Sequence, residues 1–480
     1  MASSKKLTGA KPGYDIAVVG SGGGMAAAVA AAEKGAKVVV LEKRKVFGGN
    51  TALARALFAA ESPVQKRLRI DARKEDLFKA SMSFSHWKIN PEIIRTFIDK
   101  SGDTIAWLEK LGVTFEDVPN GYFNQVPRVY HLPKGYGAAL IRTLIDKCDE
   151  LGVTLMKETP AKKIVLNKGE GVSGVVVETK GREITIPVKS VIIATGGYSG
   201  NKEMLKRYCP NYTEDAHVHG IPLMGDGFVI ARQAGAASEG LGNLLSMGPF
   251  YTGTLQVGIV SVEANTIWVN KRGERFCDES TYVPSESANA LDRQPGKVCY
   301  TIFDESVKQS FIDDGLIRGH HRLYPPGTRM VDIDKQLRKE VQEGRVRIEN
   351  SWEGIARWIG ADPKKLLHAI QVYNDGCAKG FDELFYKDRR YLQPLVRPPY
   401  YALICHQAFH GTTGGIKINE RMEVLGKDEK AIPGLFAAGN DTGGWASDTY
   451  NYVLTGTAFA YAVNSGRIAG EHAALYISHT

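Results

Sequence analysis

A cluster of glycines followed by an acidic residue gives residues 20–42 the chemistry of nucleotide recognition. Gly20, Gly22 and Gly23 come directly after a short apolar run, and Glu42 follows about 20 residues later. Glycines lack a Cβ atom, so they allow a tight turn whose backbone a pyrophosphate can approach closely. A carboxylate at the position of Glu42 can accept hydrogen bonds from both hydroxyl groups of a ribose. We therefore expect these residues to bind a dinucleotide.

A strand, a helix and a second strand must hold these groups in place. Residues 15–19 and 37–41 are short apolar runs, which are typical of buried parallel strands. Residues 26–33 are rich in alanine and predict a helix whose N terminus presents free N–H groups to phosphate. Met25 replaces the third glycine of the usual G-x-G-x-x-G pattern. A glycine-rich turn in an unrelated α/β protein is the alternative interpretation.

A second glycine turn indicates which dinucleotide is bound. Gly48-Gly49-Asn50-Thr51 resembles the G-G-N-[ST] segment of the fumarate reductase and succinate dehydrogenase flavoprotein superfamily. In that superfamily the segment wraps the pyrophosphate of FAD and reaches the flavin. Taken alone, the tetrapeptide is also compatible with a surface turn after the second strand.

Three later segments resemble the same superfamily in the same order. Residues 194–197 (ATGG) are similar to the segment that closes the FAD domain, residues 225–227 (GDG) to its T-G-D-G turn, and residues 434–440 (GLFAAGN) to the strand and turn that return to the flavin. The superfamily members with covalent flavin use a histidine just before the second glycine turn, and residues 45–47 (KVF) contain none, so the resemblance implies non-covalent FAD. The FAD-binding residues that it implies are Gly20, Gly22, Gly23, Glu42, Gly49, Asn50, Thr51, Ala161, Thr195, Gly196, Asp226, His410, Asn440, Thr457 and Ala458.

The order of these motifs also predicts the architecture. The resemblance implies an α/β fold in which a Rossmann-type FAD-binding domain carries an inserted α+β capping domain. Residues 12–245 and 409–480 are assigned to the FAD-binding domain, and residues 246–408 to the capping domain. Within the first segment, apolar residues recur with helical spacing over residues 91–111, which predicts a helix with one buried stripe.

Composition and charge set further limits. The 480 residues are 43% hydrophobic and carry a formal net charge of +8, but Lys and Arg are scattered, so a nucleic-acid partner is not expected. No apolar run reaches transmembrane length, and the N terminus lacks the apolar core of a secretory signal. The dispersed cysteines form no C-x-x-C motif, which argues against a metal site, an iron–sulfur cluster or a c-type haem. We therefore expect a cytoplasmic protein that exchanges electrons with an external donor or acceptor.

The groups that hold a dicarboxylate in fumarate reductases are mostly missing. The superfamily's proton-donating arginine and its carboxylate-clamping arginine are matched here by Val283 and Val453. The histidine of its H-P-T segment is matched by Met247, and only His410, in the HGTTGG segment, agrees with the pattern. Burying two carboxylates without these cations is costly. The resemblance thus argues against a dicarboxylate substrate.

Tyrosines stand where related enzymes place catalytic groups. Tyr450 resembles the tyrosine of the H-T-Y segment in 3-ketosteroid dehydrogenases, whose hydroxyl polarises the substrate ketone. Tyr282 lies one residue short of the tyrosine that abstracts a proton in those enzymes. The resemblance therefore implies two catalytic residues, with Tyr450 as the polarising group and Tyr282 as the proton carrier. The alternative is that Tyr450 is a packing residue whose hydroxyl forms a hydrogen bond with the backbone. Tyr452 is a substitute candidate for either catalytic role.

These observations predict an FAD-dependent oxidoreductase that interconverts C–C and C=C bonds α,β to a carbonyl. Its substrate is expected to be uncharged or cyclic, with hydride exchanged at flavin N5 and tyrosines as acid and base. One alternative is a reductase of an unsaturated carboxylate held by residues such as Arg55, Arg128 or His131. The other is a non-catalytic FAD-bound electron-transfer subunit. The motifs leave the direction of the reaction and the identity of the substrate open.

Overall fold

The structure is a computed structural model that describes residues 13–119, 127–167, 169, 171–280, 284–319 and 324–480. These residues form two compact units. The first unit comprises the described part of Met1–Tyr212 together with Val218–Leu245 and His410–Thr480, and the second comprises Thr213–His217 and Ser246–Phe409. Both units contain helices and strands, and the predicted α/β fold class is confirmed.

The bounds of the elements follow in chain order. The strands are β1 (Ile16–Val19), β2 (Val38–Leu41), β3 (Leu57–Phe58), β4 (Phe115–Asp117), β5 (Tyr130–Pro133), β6 (Thr154–Met156), β7 (Ala161–Asn167), β8 (Gly171–Thr179), β9 (Arg182–Pro187), β10 (Ser190–Ile193), β11 (His217–Val218), β12 (Ser238–Glu239), β13 (Leu244–Phe250), β14 (Ile267–Asn270), β15 (Val298–Asp304), β16 (Val346–Glu349), β17 (Tyr400–Thr412), β18 (Gly415–Ile416), β19 (Glu423–Leu425) and β20 (Ala431–Ala437). The helices are α1 (Gly23–Ala32), α2 (Pro63–Arg67), α3 (Lys74–Phe84), α4 (Pro91–Lys110), α5 (Tyr136–Glu150), α6 (Lys202–Tyr208), α7 (Asp226–Gln233), α8 (Leu255–Val260), α9 (Pro284–Asp292), α10 (Glu305–Asp313), α11 (Ile333–Gln342), α12 (Trp352–Ile359), α13 (Pro363–Lys379) and α14 (Thr457–Ser478).

The main sheet of the first unit is parallel except at one edge. Its strand order is β19-β20-β10-β1-β2-β6, and the β19–β20 pair is antiparallel. Strands β1, β2 and β10 are buried along their full length, as expected for apolar runs in a sheet that is covered on both faces. The carboxyl ends of four strands meet at one edge, where Gly20, Glu42, Ala194 and Ala438 follow directly. The predicted nucleotide-binding segments therefore share one edge of the sheet.

Helix α14 packs against α1 at backbone distance because glycines line the crossing. A Cβ atom on Gly23 would lie 2.2 Å from the carbonyl oxygen of Ala462, and a Cβ atom on Gly466 would lie 2.2 Å from that of Gly23. A Cβ atom on Gly470 would lie 2.2 Å from the carbonyl oxygen of Ala27. From the sequence, Gly23 was predicted only to let a pyrophosphate approach the backbone. The structure adds a packing role, and α1 begins at Gly23, earlier than the predicted residue 26.

Helix α4 shows how a local pattern produces a packed element. The side chain of Asn90 caps the helix by accepting hydrogen bonds from the N–H groups of Glu92 and Ile93. The apolar stripe predicted for residues 91–111 is buried, which confirms that prediction, and the helix ends at Lys110.

The second unit has an antiparallel sheet of its own. Strand β15 pairs with β14 and with β17, and β16 also pairs with β17. The hydrophobic core of this unit contains the fully buried rings of Trp268, Phe303 and Phe311.

A buried cluster of charges also lies in the second unit. The guanidinium of Arg275 binds the carboxylates of Glu279 at 2.9 Å and Asp382 at 3.0 Å, and the ammonium of Lys387 binds Glu279 at 3.1 Å. Two cations thus neutralise two carboxylates, which buried charges require. This cluster anchors residues 275–279 immediately before residues 281–283, which lie outside the described part of the chain.

In the described part of the chain, no helix combines the length and the apolar character needed to cross a membrane.

Candidate active site

Glu42 lies at the carboxyl end of β2, next to both glycine turns. Its carboxylate accepts hydrogen bonds from the hydroxyl of Ser21 at 2.5 Å and from the N–H of Arg44 at 2.9 Å. The Ser21 hydroxyl in turn accepts a bond from the N–H of Gly48 at 2.9 Å. An ionised carboxylate offers about four lone-pair positions, so Glu42 retains capacity for about two further donors. The two hydroxyls of a ribose match that capacity.

The first glycine turn closes onto its neighbours because it carries no Cβ atoms. A Cβ atom on Gly20, whose φ is +97°, would lie 2.3 Å from the carbonyl oxygen of Ala194. A Cβ atom on Gly22 would lie 2.8 Å from Oγ1 of Thr51. The turn after β1 is therefore in contact with the segments after β2 and β10, as a dinucleotide-binding turn requires. Together with Glu42, these residues fit the nucleotide half of FAD.

The second glycine turn is held by the side chain of Asn50. Residues Gly49–Leu53 form a 3-10 helix that follows Gly48, whose φ is +110°. The amide nitrogen of Asn50 donates to the carbonyl oxygen of Ile221 at 3.1 Å, and its amide oxygen accepts from the N–H of Ile221 at 2.7 Å. Asn50 therefore ties this turn to residue 221, and Thr51 is buried beside it. The predicted FAD contacts of Gly49, Asn50 and Thr51 stay predictions.

Ala161 and Asp226 occupy different environments. Ala161 is the buried first residue of β7. Asp226 is the first residue of α7, and its partly exposed carboxylate forms an ion pair with Lys43, the residue after Glu42. The structure thus brings Asp226 to the same sheet edge as Glu42, and its predicted contact with FAD stays a prediction.

The Thr195-Gly196-Gly197 turn is bound by a carboxylate that the sequence analysis did not single out. Asp441 is 1% exposed and accepts hydrogen bonds from the N–H groups of Thr195, Gly196 and Gly197. Burial raises the pKa of Asp441, and these donated hydrogen bonds act in the opposite direction. A contact of FAD with residues 195–197 would therefore use atoms other than these N–H groups. The only signal in the sequence was an acidic residue directly after Asn440.

His410 is an uncharged histidine beside the segment that returns to the sheet edge. Its half-buried ring meets the ring of His219 edge on, with centroids 4.9 Å apart. Burial, together with repulsion from His219, lowers the pKa of His410 to about 4, so the imidazole is neutral at pH 7. A Cβ atom on the adjacent Gly411 would lie 3.2 Å from the amide nitrogen of Asn440. Two of the segments predicted to bind FAD are therefore neighbours.

Tyr450 is fixed to the first turn of the last helix. Its hydroxyl oxygen accepts a hydrogen bond from the N–H of Ala458 at 2.9 Å. Ala458 is the second residue of α14, so the bond satisfies one of the N–H groups that a helix N terminus leaves without a partner. Tyr450 is 7% exposed, and its ring meets that of Tyr452 edge on at 4.9 Å. The structure thus brings Tyr450 to Thr457 and Ala458, and this backbone bond is also the contact that the packing alternative predicted. Tyr282 lies outside the described residues.

Two of the three cations suggested for binding a carboxylate are engaged elsewhere. Arg128 donates to a backbone carbonyl at 2.6 Å and to the carboxylate of Asp117 at 3.2 Å. His131 is fully buried with Nε2 at 2.6 Å from the hydroxyl of Ser62, and burial lowers its pKa to about 4. Arg128 and His131 therefore have local hydrogen-bond partners, and their suggested role in binding a carboxylate stays a prediction. Arg55 is partly exposed and has no ion-pair partner among the residues that the structure describes.

A parallel sheet whose carboxyl edge carries two glycine turns and a carboxylate placed for a ribose defines a dinucleotide-binding protein. The chain belongs to the FAD binding domain family, whose model matches residues 15–452. It is 32% identical to the vinyl phenol reductase of Lactiplantibacillus plantarum, and the match covers 96% of this chain and 97% of that protein.

Solved structures place the chain in the superfamily that its motifs indicated. The open conformation of a flavocytochrome c3 fumarate reductase is similar with a TM-score of 0.74 and 26% identity, over 98% of this chain and 79% of that one. The 3-ketosteroid delta1-dehydrogenase of Sterolibacterium denitrificans shares the fold with a TM-score of 0.81 and 20% identity, over 96% of this chain and 99% of that one. The resemblance to the fumarate reductase and succinate dehydrogenase superfamily is confirmed. The chain is an FAD-dependent oxidoreductase that acts on carbon–carbon single or double bonds.

Proposed function

We propose that this enzyme interconverts the C–C and C=C bonds of an uncharged substrate in which the bond is activated by a neighbouring carbonyl group or phenol ring. The observation that carries the proposal is the position of the Tyr450 hydroxyl, which is bound to the N–H of Ala458 at 2.9 Å in the first turn of α14. The phenol of Tyr450 is the group that we assign to the activating oxygen of the substrate.

A phenol held in this way suits an oxygen atom on which negative charge develops. The hydroxyl of Tyr450 accepts a bond from the N–H of Ala458, and a phenol hydroxyl can donate a hydrogen bond as well as accept one. The N–H of Ala458 and the positive end of α14 stabilise charge that reaches the phenol. Because the polypeptide fixes these dipoles in advance, little reorganisation is needed when the charge develops.

The other residues supply binding and proton transfer. FAD would be held by the residues at the sheet edge, and when bound it supplies or accepts the hydride. We assign proton transfer at the neighbouring carbon to Tyr282, on the resemblance of its segment to the 3-ketosteroid dehydrogenases. His410 is neutral at pH 7 because burial lowers its pKa to about 4, so it contributes hydrogen bonds rather than positive charge. Electrons come from or go to an external partner.

Two observations support an uncharged substrate. Val453, half-buried in the structure, stands where fumarate reductases carry the arginine that clamps a carboxylate. The relative that matches this chain over nearly its full length is named for vinyl phenol, an alkene attached to an uncharged phenol ring. A phenol oxygen that is conjugated to the alkene would take the place of a ketone oxygen opposite Tyr450.

A second candidate is reduction of an unsaturated carboxylate. The observation in its favour is Arg55, a partly exposed guanidinium with no ion-pair partner in the described part of the chain. Its segment lies against the start of α14, since Phe58 donates its N–H to the carbonyl of Gly456 at 3.2 Å. The flavocytochrome c3 relative is a fumarate reductase, and fumarate is an unsaturated carboxylate, which supports this class of substrate.

Flavin reoxidation separates the two candidates. The holoenzyme is reduced with dithionite without oxygen, and its reoxidation is followed at 450 nm (roughly the flavin absorption band) with a cyclic enone, 4-vinylphenol, fumarate or acrylate. We expect reoxidation by the enone or by 4-vinylphenol, and a roughly 10²-fold slower rate in Tyr450→Phe. The matched control is Tyr373→Phe, a buried tyrosine in the second unit whose hydroxyl also accepts a backbone N–H. Reoxidation by the carboxylates alone, abolished in Arg55→Gln, would replace the first candidate with the second.

A further inference from the structure

The carboxylate of Asp441 fills a concave cluster of backbone N–H groups. One of its oxygens accepts bonds from the N–H groups of Thr195 and Gly196, the latter at 2.8 Å. The other oxygen accepts from the N–H of Gly197 at 3.0 Å and from the hydroxyl of Thr195 at 2.9 Å. The three N–H groups can only donate, so both oxygens of the Asp441 side chain act as acceptors here.

The backbone around these groups has the form of an anion-binding nest. Gly196 and Gly197 have φ values of +92° and +96°, which turn successive N–H groups toward one point. Such nests commonly bind phosphate or other anions. Here the anion is Asp441 of the same chain, which is 1% exposed. The nest is therefore filled from within the protein.

The same contact reaches a third segment. The hydroxyl oxygen of Thr195 accepts a hydrogen bond from the N–H of Gly227 at 3.1 Å while it donates to Asp441. A Cβ atom on Gly227 would lie 2.4 Å from that oxygen. Three segments that the motifs assign to FAD, residues 194–197, 225–227 and 434–440, are thus linked through the carboxylate of Asp441, which directly follows the third segment.

We propose that Asp441 is a positioning residue for FAD, which acts by holding these three segments in the arrangement that binds the cofactor. The proposal rests on the identity of the cofactor and not on the substrate. A positioning role and a purely electrostatic role of Asp441 predict opposite changes in FAD affinity. FAD carries a negative diphosphate, so an aspartate that acted only through its charge would weaken binding by repulsion. Removing that charge would then strengthen binding, whereas removing a positioning group weakens it.

The test is Asp441→Asn, which keeps the shape of the side chain but replaces one acceptor oxygen with a donor. Apoprotein is titrated with FAD, and the dissociation constant is read from the quenching of flavin fluorescence, with the visible circular dichroism of the bound flavin as a second readout. We expect about tenfold or more weaker binding and an altered flavin spectrum, because two buried donors lose their acceptor. The matched control is Asp428→Asn, an exposed aspartate that accepts the N–H of Lys430, and it should bind FAD as the wild type does.

Equal or tighter FAD binding by folded Asp441→Asn, with an unchanged flavin spectrum, would overturn the proposal. If Asp441→Asn does not fold, Thr195→Val provides the second test of the proposed role of Asp441. This substitution removes one donor to Asp441 and the acceptor of the Gly227 N–H while it keeps the side-chain volume. We expect FAD binding about 3- to 10-fold weaker in Thr195→Val. Wild-type affinity in that variant would refute the proposed role.

Discussion

The hydroxyl group of Ser21 donates a hydrogen bond to the carboxylate of Glu42 at 2.5 Å. Ser21 belongs to the first glycine turn, and its hydroxyl also accepts the N–H of Gly48 in the second. One small side chain therefore joins both turns to the carboxylate that we assign to the ribose. This arrangement keeps the Glu42 side chain in one orientation, which makes the effect of its removal predictable.

Glu42→Ala should lower the affinity for FAD more than it lowers the rate of the loaded enzyme. The substitution removes two hydrogen bonds from ribose hydroxyls to a charged acceptor, each worth about 1.5–3 kcal/mol. The dissociation constant for FAD should rise at least tenfold, roughly the effect of one such bond, and excess FAD should restore turnover. Glu150→Ala, on the exposed end of α5, is the matched control. Unchanged FAD affinity in Glu42→Ala would mean that the first turn does not bind the nucleotide.

The purified protein should be yellow and should release all of its flavin on acid precipitation. The residues before the second glycine turn are Lys45, Val46 and Phe47, which offer no histidine for a covalent bond to the flavin. The measurement is the absorption of the supernatant and of the redissolved pellet. Colour that stays with the pellet would contradict non-covalent binding.

Tyr282→Phe and Tyr450→Phe should differ in kinetic character while both keep their FAD. Loss of a proton carrier at Tyr282 should lower kcat about 10²-fold and change its pH dependence. Loss of the polarising phenol at Tyr450 should raise KM as well as lower kcat, because that group contacts the substrate oxygen before and during the reaction. Steady-state kinetics between about pH 6 and 10 distinguish these patterns. Near-wild-type turnover in Tyr450→Phe would move the candidate site to Tyr452 and His410.

The buried ring of His131 should make the protein less stable in mild acid. Burial lowers the pKa of His131 from 6.5 to about 4, so the folded state favours the neutral ring. Its contribution to stability is complete above pH 6.5 and is lost as the pH falls toward 4, to a limit of about 3 kcal/mol. Urea unfolding at several pH values measures this slope. In His131→Gln the slope between these pH values should be smaller, and the exposed His368→Gln should keep the slope of the wild type.

Much of the nucleotide-binding unit could be predicted because its signals are local. A parallel strand buried on both faces needs a short apolar run, and the turn after it needs glycine. Residues 15–24 therefore predict a strand and a nucleotide-binding turn without reference to the rest of the chain. The same reasoning placed Glu42 at the end of β2 and the buried stripe on α4. The resemblance of these motifs, in this order, to the fumarate reductase and succinate dehydrogenase superfamily was enough to assign FAD and the class of oxidoreductase.

Contacts between distant residues could not be predicted in this way. Asp441 binds a turn more than 240 positions earlier in the chain, Gly466 leaves room for the carbonyl oxygen of Gly23, and Tyr450 shares a hydrogen bond with a helix that begins after it. An aspartate, a glycine or a tyrosine has many local uses, and its neighbours in sequence do not say which one applies. The amino-acid sequence alone determined a dinucleotide-binding turn and the parallel sheet edge, because periodicity and glycine geometry are short-range requirements, and the resemblance of its motifs to the flavoprotein superfamily added the cofactor class. Only the tertiary structure decided which buried polar groups meet, because each must find its hydrogen-bond partner wherever the packed chain presents one.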